Sequence, residues 1–195
     1  MKKLIILILI FFINNYHCQS QIGENEYPLG TLSYEAPNGA YIKDVFNEYD
    51  KYVGTWEGTL NNKKFTLVIE KKEHQLVTFY DDVNYKDVLV AKYQWLDLST
   101  QTLLYSTMNV VSFEDYKITS TGKPRNNELY FFYSDEFCGN TIEIDIKLSN
   151  NDTTMKFFGY YGTASEGFDP TNCPYTRKID IPVPFPMNGI TLNKL

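Results

Sequence analysis

The stretch Tyr52–Ile69, YVGTWEGTLNNKKFTLVI, constrains the fold more than any other part of the chain. Successive residues of a strand point to opposite faces, so Trp56 shares a face with Gly54 and Gly58. The opposite face carries threonine and glutamate. The tryptophan face is therefore the inner face of a predicted strand, with a large ring seated between two glycines.

The Asn61–Asn62 dipeptide predicts how this strand turns. Asparagine tolerates the positive φ angles of a two-residue hairpin turn. That loop length pairs Gly58 with Phe65 and Trp56 with Leu67, which keeps the inner face apolar. A three-residue loop would place lysine and threonine beside the tryptophan, because a one-residue slip turns a whole strand over. We therefore predict the two-residue loop.

The rest of the chain has further strand patterns separated by turn signals, which is typical of a β-sandwich or β-barrel. Glu70–His74 is interpreted as a solvated, turn-like charged run, and Gly122–Pro124 as a turn. The proline-rich stretch Ile181–Pro186 is expected at an edge or as a strap. The predicted strands are Gln75–Tyr80, Asp87–Leu96, Thr102–Met108, Asp115–Thr121, Glu128–Ser134, Thr141–Leu148, Thr153–Tyr161 and Ile190–Lys194.

The segment Ala40–Tyr52 has two interpretations. Its apolar residues fit helical spacing, which predicts a short helix before the first barrel strand that closes one end of the fold. The same residues are also compatible with a strand followed by a turn that packs on the core. Both interpretations place the segment directly before the tryptophan strand.

Residues 1–20 are typical of a secretory signal peptide: two lysines, the apolar run Leu4–Ile13, then polar residues. Such an apolar run is too short to span a membrane. Cleavage between Ser20 and Gln21 would release an exported protein without a transmembrane span. The alternative is lipid anchoring through Cys18.

Removal of the signal peptide leaves 16 basic and 24 acidic residues, a net charge of −8, because two of the 18 basic residues lie within it. This charge argues against nucleic acid or an anionic membrane as a partner. We interpret residues 21–38 as an extended N-terminal arm and residues 39–195 as a single domain, a length sufficient for one core.

Cys138 and Cys173 are the two cysteines that remain after signal cleavage. In an exported protein such a pair predicts a disulfide. The bond would close a loop of about 35 residues and stabilise the fold by ~3 to 4 kcal/mol in the chain-entropy model.

Two sequence features resemble known families. Gly54–Trp56 resembles the opening G-x-W of the lipocalin and fatty-acid-binding barrels. The run from Asn38–Asp44 through Lys51–Leu60, together with Ile190–Leu195, is similar to an uncharacterised family of secreted, lipocalin-like bacterial domains of unknown function. The resemblance implies an all-β fold, a calycin-type antiparallel β-barrel of roughly eight to ten short strands.

The resemblance also implies a ligand site inside the barrel. Lipocalins pack a late-strand arginine over the tryptophan, but neither Arg125 nor Arg177 lies in the predicted last strand. A closed barrel of about eight strands can enclose one small apolar molecule. The residues expected to line that interior pocket are Trp56, Phe65, Leu67, Ile69, Ile144 and Phe157.

Catalytic motifs are sparse. His74 is the one histidine outside the signal peptide, and it lies in a charged run without a partner motif. Glu143–Asp145 resembles the first half of the E-x-D-x-x-E motif of a β-sandwich glycosidase family, but Lys147 and Leu148 stand where the second glutamate belongs. We therefore expect a non-enzymatic protein without a metal or cofactor.

Two functions remain open on the sequence. The first is an exported barrel that binds a small hydrophobic ligand in its interior. The second is an envelope-accessory or inhibitor-type interaction module, with a filled core and a protein partner. An internal cavity would favour the first, and an exposed patch of tyrosine and phenylalanine would favour the second.

Overall fold

The computed structural model describes residues 23–79, 81–135, 140–149, 151–161, 173–175 and 185–195. Within these ranges strands are the dominant regular structure, as the β-branched and aromatic residues favour, and two short 3-10 helices lie at Ser33–Glu35 and Phe113–Asp115. The strands are β1 Glu26–Pro28, β2 Tyr41–Lys43, β3 Gly54–Leu60, β4 Lys63–Phe79, β5 Asp82–Asp97, β6 Thr102–Ser106, β7 Ile118–Arg125, β8 Glu128–Asp135, β9 Asn140–Leu148, β10 Thr154–Tyr161 and β11 Ile190–Lys194.

Eight of these strands close into an antiparallel barrel. Their order around the wall is β3, β4, β5, β7, β8, β9, β10 and β11, and β11 pairs with β3 to close it. Strand β6 adds to β5 outside this ring, while β1 and β2 pair in parallel and join the far part of β5. The predicted all-β barrel is confirmed.

The first hairpin has the predicted register. Asn61 and Asn62 take φ angles of 50° and 60°, and Gly58 pairs with Phe65. Gly58 also lies where the barrel closes between β3 and β11. A Cβ atom at this position would lie 2.4 Å from the carbonyl oxygen of Thr191 in β11. Glycine therefore lets β11 approach β3 closely.

The turn-like interpretation of Glu70–His74 was wrong, because β4 continues through these residues. The charged side chains of this segment find ion-pair partners on both faces of the strand. Glu70 forms ion pairs of 2.8 Å with both Lys72 and Lys92, and Lys71 reaches a buried carboxylate on the other side. A bulge follows, where His74 has a φ of 53°.

The predicted turn at Gly122–Pro124 was also wrong. These residues lie inside β7, whose pairing with β8 shifts register between Thr121 and Arg125. The turn lies at Asn126–Asn127, with φ angles of 50° and 64°. An Asn–Asn dipeptide thus forms each of two separate hairpin turns. Gly122, with a φ of 64°, forms a bulge within β7.

Among the described residues a 3-10 helix lies upstream at Ser33–Glu35, but residues 40–52 themselves are a strand followed by turns and do not form the predicted short helix. The carboxylate of Asp44 explains why. It accepts hydrogen bonds from the backbone N–H groups of Glu48 and Tyr49, at 2.7 and 3.1 Å. Asn47, with a φ of 54°, then breaks any helical run.

These turns, residues 44–53, form a cap that closes one end of the barrel. Trp56 donates a hydrogen bond from Nε1 to the carbonyl oxygen of Tyr52 at 2.9 Å, and both side chains are fully buried. Lys194 of the last strand places its ammonium 5.1 Å from the centroid of the Trp56 ring. A basic residue therefore covers the tryptophan, but it is a lysine and not the arginine that the lipocalin resemblance implies.

Three predicted features fall outside the described residues: the signal peptide, Cys138, and most of the strap Ile181–Pro186. The pairing of Cys138 with Cys173 therefore stays a prediction. Among the helical segments of the described ranges, none has the length and apolar character needed to cross a membrane.

Candidate functional site

The six residues predicted to line an interior pocket lie together in the barrel core. Each is at most 1% exposed, and all belong to one apolar cluster to which every barrel strand contributes. Rings pack closely there, with the centroids of Phe65 and Phe157 5.5 Å apart. Their role as ligand contacts stays a prediction, and none of the six lines the cavity described next. They are Trp56, Phe65, Leu67, Ile69, Ile144 and Phe157.

A cavity of about 340 Å³ opens at the end of the barrel opposite the cap, beside the β3–β4 turn. We call it the mouth. Its volume lies at the lower end of the range for small-molecule sites. Its lining is mainly aromatic and aliphatic: Leu60, Asn61, Lys63, Trp95, Leu104, Tyr105, Phe185 and Pro186.

The register of β4, β5 and β6 brings the mouth rings together. Trp95 lies opposite Phe65 on β4 and opposite Tyr105 on β6. The Phe65 and Trp95 ring centroids are 4.8 Å apart, so the mouth wall rests on the core. Tyr105 stacks on Tyr93 of β5, with centroids 5.3 Å apart and planes at 13°. Strand β6 thereby adds an aromatic side to an opening that the eight barrel strands alone would leave wider.

Phe185 forms the floor of the mouth. It is buried and meets three rings of the wall edge-on: Tyr133 at 5.0 Å, and Tyr93 and Phe157 both at 6.0 Å between centroids. Edge-to-face contacts of this kind hold a ring in a defined orientation. The floor separates the mouth from the core residues below it.

The hydroxyl of Tyr93 is the unusual polar group under the mouth. Tyr93 is fully buried, and its hydroxyl oxygen has no hydrogen-bond partner. Burial raises the pKa of this phenol, and the neighbouring phenols of Tyr105 and Tyr133 add to the shift without reaching hydrogen-bond geometry with it. A buried, unsatisfied hydroxyl is costly, so Tyr93 is a neutral donor available to a ligand acceptor.

Charge at the mouth is confined to its rim. Lys63 lines the cavity, and the residue opposite it in the strand register is Asp97, at the end of β5. Backbone N–H groups of Thr100 and Ser99 lower the pKa of Asp97, and the charge of Lys63 contributes. The opening therefore offers an apolar, aromatic interior with a nearly neutral edge.

The mouth residues are not recognisable as a group in the sequence. Trp95 and Tyr105 were placed in predicted strands, and Phe185 in a strap, but nothing local links the three. A signal for Trp95 did exist, because alternation along β5 puts it on the same face as Leu89 and Tyr93. The contacts of Phe185 depend on chain closure and have no local pattern.

A second polar cluster lies outside the barrel, between β2, β4 and β5. The buried carboxylate of Asp87 accepts hydrogen bonds from the Tyr41 hydroxyl at 2.5 Å and from the backbone N–H of Asp44 at 2.9 Å. Lys71 forms an ion pair of 2.9 Å with Asp44. These bonds fasten β2 and the cap to the long β4–β5 hairpin.

His74 stands at the edge of this cluster rather than in a catalytic arrangement. Its ring stacks on Tyr85 at 4.2 Å and meets Tyr41 edge-on at 4.6 Å. Its backbone N–H donates to Asp87 at 3.1 Å. Across the described ranges, no group of three or more potential metal ligands is assembled.

The Glu143–Asp145 pair lies on the outer surface of β9, facing away from the mouth. Tyr160 of β10 donates a hydrogen bond to Asp145 at 3.1 Å. Burial raises the pKa of Asp145, and the charges of Glu128 and Glu143 add to the rise. The pair is therefore part of the barrel exterior.

The structure is thus an antiparallel eight-stranded barrel. The cap closes one end, and the mouth at the other end is lined by aromatic rings. The chain belongs to the family of unknown function DUF6705, whose model matches residues 1–159. The match ends within β10, so Phe185 and β11 lie beyond it. No curated protein and no solved structure matches the chain.

Proposed function

We propose that the protein is an exported, non-enzymatic binding protein that holds one small apolar ligand in the mouth. The observation that carries the proposal is the 340 Å³ cavity with its aromatic lining. Export rests on the predicted signal peptide at residues 1–20, with a lipid anchor at Cys18 as the alternative.

The lining suits a ligand that is apolar over most of its surface. Each 100 Å² of apolar area removed from water contributes about 2.5 kcal/mol before the costs of association. Trp95, Tyr105 and Phe185 supply rings on three sides, and Leu60 and Leu104 fill the gaps between them. The lining is neutral apart from Lys63, a composition suited to holding a molecule rather than to transferring protons.

The unpartnered hydroxyl of Tyr93 supports a finer statement about that ligand. Tyr93 packs against two mouth residues, Tyr105 and Phe185. A ligand with one hydrogen-bond acceptor, such as a carbonyl or ether oxygen, would satisfy the hydroxyl if Phe185 shifts. We therefore propose an apolar molecule with one acceptor atom.

Dye binding to the mature protein tests the site with two neighbouring leucines of β6. Leu103 and Leu104 are 55% and 48% exposed, but only Leu104 lines the mouth. We expect Nile red to bind saturably near one to one. Leu104→Asp should weaken binding about tenfold by placing a charge against the ligand, and the matched control Leu103→Asp should not.

Equal effects of the two variants would contradict a mouth site. Binding that ignores Leu104→Asp but disappears in a folded Leu67→Trp protein would instead place the ligand in the barrel interior. Absence of saturable binding in the folded parent protein would refute the binding function.

One observation favours a second function, the envelope-accessory or inhibitor-type interaction module. Four aromatic side chains are exposed on the outer faces of β8 and β10, which is unusual for solvent-facing strand positions. Such a surface needs no internal ligand.

A further inference from the structure

The outer wall of the barrel has an aromatic surface on two strands. The residues are Tyr130 and Phe132 on β8, and Phe158 and Tyr160 on β10, exposed by 44%, 43%, 42% and 38% respectively. Scattered apolar residues on a surface are normal, but four rings on two strands separated by a single strand form a patch. Their inward neighbours on the same strands fill the core, whereas these rings project from the outer wall, where Phe158 also packs against Gly189.

Strand β9 lies between β8 and β10 and supplies two carboxylates to the same surface. The strand registers arrange the six side chains in two rows, each with a carboxylate between two rings. The first row is Tyr130, Asp145 and Phe158, and the second row is Phe132, Glu143 and Tyr160. We call this surface the acidic-aromatic face.

The dimensions of the face follow from sheet geometry. Adjacent strands are about 4.8 Å apart, so the two rings of a row have backbones about 10 Å apart with a carboxylate midway. The two rows are separated by two residues, about 7 Å along the strands. That distance equals the separation of alternate residues in any extended chain.

The electrostatics of the face favour a positive charge. Asp145 is crowded by Glu143 and Glu128, and Lys147, the adjacent lysine on β9, pairs with Glu128 instead. A cation placed between the rows would relieve the repulsion between the two carboxylates. Whole-chain charge acts in the same direction, because the chain carries a net charge of −6.

The rings restrict which cation fits best. The face of an aromatic ring attracts cations, and arginine is found in such contacts more often than lysine. A planar guanidinium can lie against a ring and donate two hydrogen bonds to a carboxylate at the same time. Each row offers both partners, so each row is suited to one guanidinium group.

We propose that the acidic-aromatic face binds an extended segment of a partner protein that carries arginines at alternate positions, one guanidinium for each row. A second copy of this chain does not match that description. Its two arginines, Arg125 and Arg177, are far apart in sequence, and like net charges repel. The proposal is independent of the mouth, which lies at the end of the barrel.

Peptide binding tests the spacing and the charge. The probe is acetyl-Thr-Arg-Thr-Arg-Thr-amide, titrated into the mature protein by NMR. The first control has adjacent arginines, acetyl-Thr-Arg-Arg-Thr-Thr-amide, with the same charge. The second replaces both arginines with citrulline, a neutral analogue of the same shape. We expect saturable binding of the probe, about tenfold weaker binding of the adjacent-arginine peptide and loss of binding with citrulline.

Protein variants locate the site. Glu143→Gln with Asp145→Asn removes both charges without changing shape, and should weaken the probe about tenfold or more. The matched control, Glu73→Gln with Glu114→Gln, makes the same change in charge at exposed positions outside the face and should have little effect. Phe132→Leu keeps an apolar side chain but removes a ring, and should weaken binding severalfold.

Several outcomes would overturn the proposal. If the two double variants weaken peptide binding equally, the effect comes from the net charge of the protein and not from the acidic-aromatic face. A glucose hexasaccharide that binds the face equally well in the charge-free variant would identify a sugar surface. A dimer that the same variant dissociates would identify self-association. An unchanged thermal unfolding midpoint in every variant verifies the fold, so this test does not depend on ligand binding at the mouth.

Discussion

At the scale of single residues, buried aromatic side chains organise both ends of the barrel. Trp56 joins the first strand to the cap through Tyr52, and Lys194 covers its ring from the last strand. At the other end, Phe185 meets three rings of the wall and forms the floor of the mouth. Trp56 thus helps to close one end of the barrel, and Phe185 limits the depth of the mouth at the other end.

Truncation of Trp56 should strongly destabilise the protein. Replacing a buried tryptophan with alanine typically costs about 3 to 5 kcal/mol, through lost burial and the cavity that remains. Urea unfolding of Trp56→Ala should therefore have a clearly lower midpoint than the parent protein. An unchanged midpoint would contradict the position of this residue in the core.

Removal of the Tyr93 hydroxyl should have the opposite effect. Because this oxygen has no partner, Tyr93→Phe relieves an unsatisfied buried group and should raise the free energy of unfolding by about 1 kcal/mol. The matched control is Tyr49→Phe. The hydroxyl of Tyr49 is also in a buried side chain, but it donates to the carbonyl oxygen of Gly122 at 2.7 Å.

In the control, Tyr49→Phe, the free energy of unfolding should fall by about 1 kcal/mol, because the carbonyl oxygen of Gly122 loses this hydrogen bond. Thermal unfolding of both variants measures the difference. If both lose stability equally, the Tyr93 hydroxyl has a partner after all. The proposed function adds a second readout, in which Tyr93→Phe weakens ligands that carry an acceptor atom more than ligands that lack one.

At the scale of elements, the long β4–β5 hairpin extends past the barrel and holds the N-terminal strands. Its outer surface carries an ion-pair network. Burial alone would raise the pKa of Glu70, but hydrogen bonds from Lys72, Lys92 and Tyr116 outweigh it and lower the pKa to about 2. A charged run can therefore continue a strand, because its members neutralise one another.

The low pKa of Glu70 predicts a pH-dependent contribution to stability. The unfolded-state pKa of glutamate is about 4.3, so the stabilisation is fully present above that value. It is lost as the pH falls from about 5 to about 2, where the folded-state carboxylate takes up its proton. The difference in unfolding free energy between the parent and Glu70→Gln should be largest near neutral pH, at about 1 kcal/mol, because the group is partly solvated.

Urea unfolding at a series of pH values measures that difference. Glu73→Gln in the same strand is the control, because its side chain is exposed and forms no ion pair with the described residues. A parent-to-variant difference that stays constant between pH 7 and pH 2 would contradict the role of the Glu70 network.

At the scale of the whole molecule, the two halves of the barrel wall serve different purposes. The mouth is built from β3, β4, β5, β6 and the segment before β11, whereas the acidic-aromatic face is built from β8, β9 and β10. The two candidate sites share no residue. A small ligand and a protein partner could therefore be bound at the same time.

Export and the disulfide can be tested together on protein purified from its own cell envelope. Mass spectrometry should find a mature chain that begins at Gln21, and an alkylating reagent should label no cysteine in the native protein. Reduction and unfolding should then expose two thiols, Cys138 and Cys173. An acylated Cys18 would contradict free export, and two thiols reactive in the native protein would contradict the disulfide.

Local patterns were sufficient for much of the wall. Alternation identified β8, β9, β10 and β11 to within two residues, because each strand exposes one face and buries the other. The Asn61–Asn62 turn was also predictable with its register. The pattern failed at Glu70–His74, where charges on both faces hide the alternation, and at Gly122–Pro124, where a bulge resembles a turn.

The sequence by itself therefore determined the class of fold, the inner faces of β3 and β9 and the register of the first hairpin, since these depend on neighbours a few residues apart. Only the tertiary structure decided that Trp95, Tyr105 and Phe185 meet at one opening. It also decided that two carboxylates of β9 lie between rings of β8 and β10. Both arrangements arise from strand register and barrel closure, which join residues distant in the chain, and no local pattern encodes which distant partners will meet.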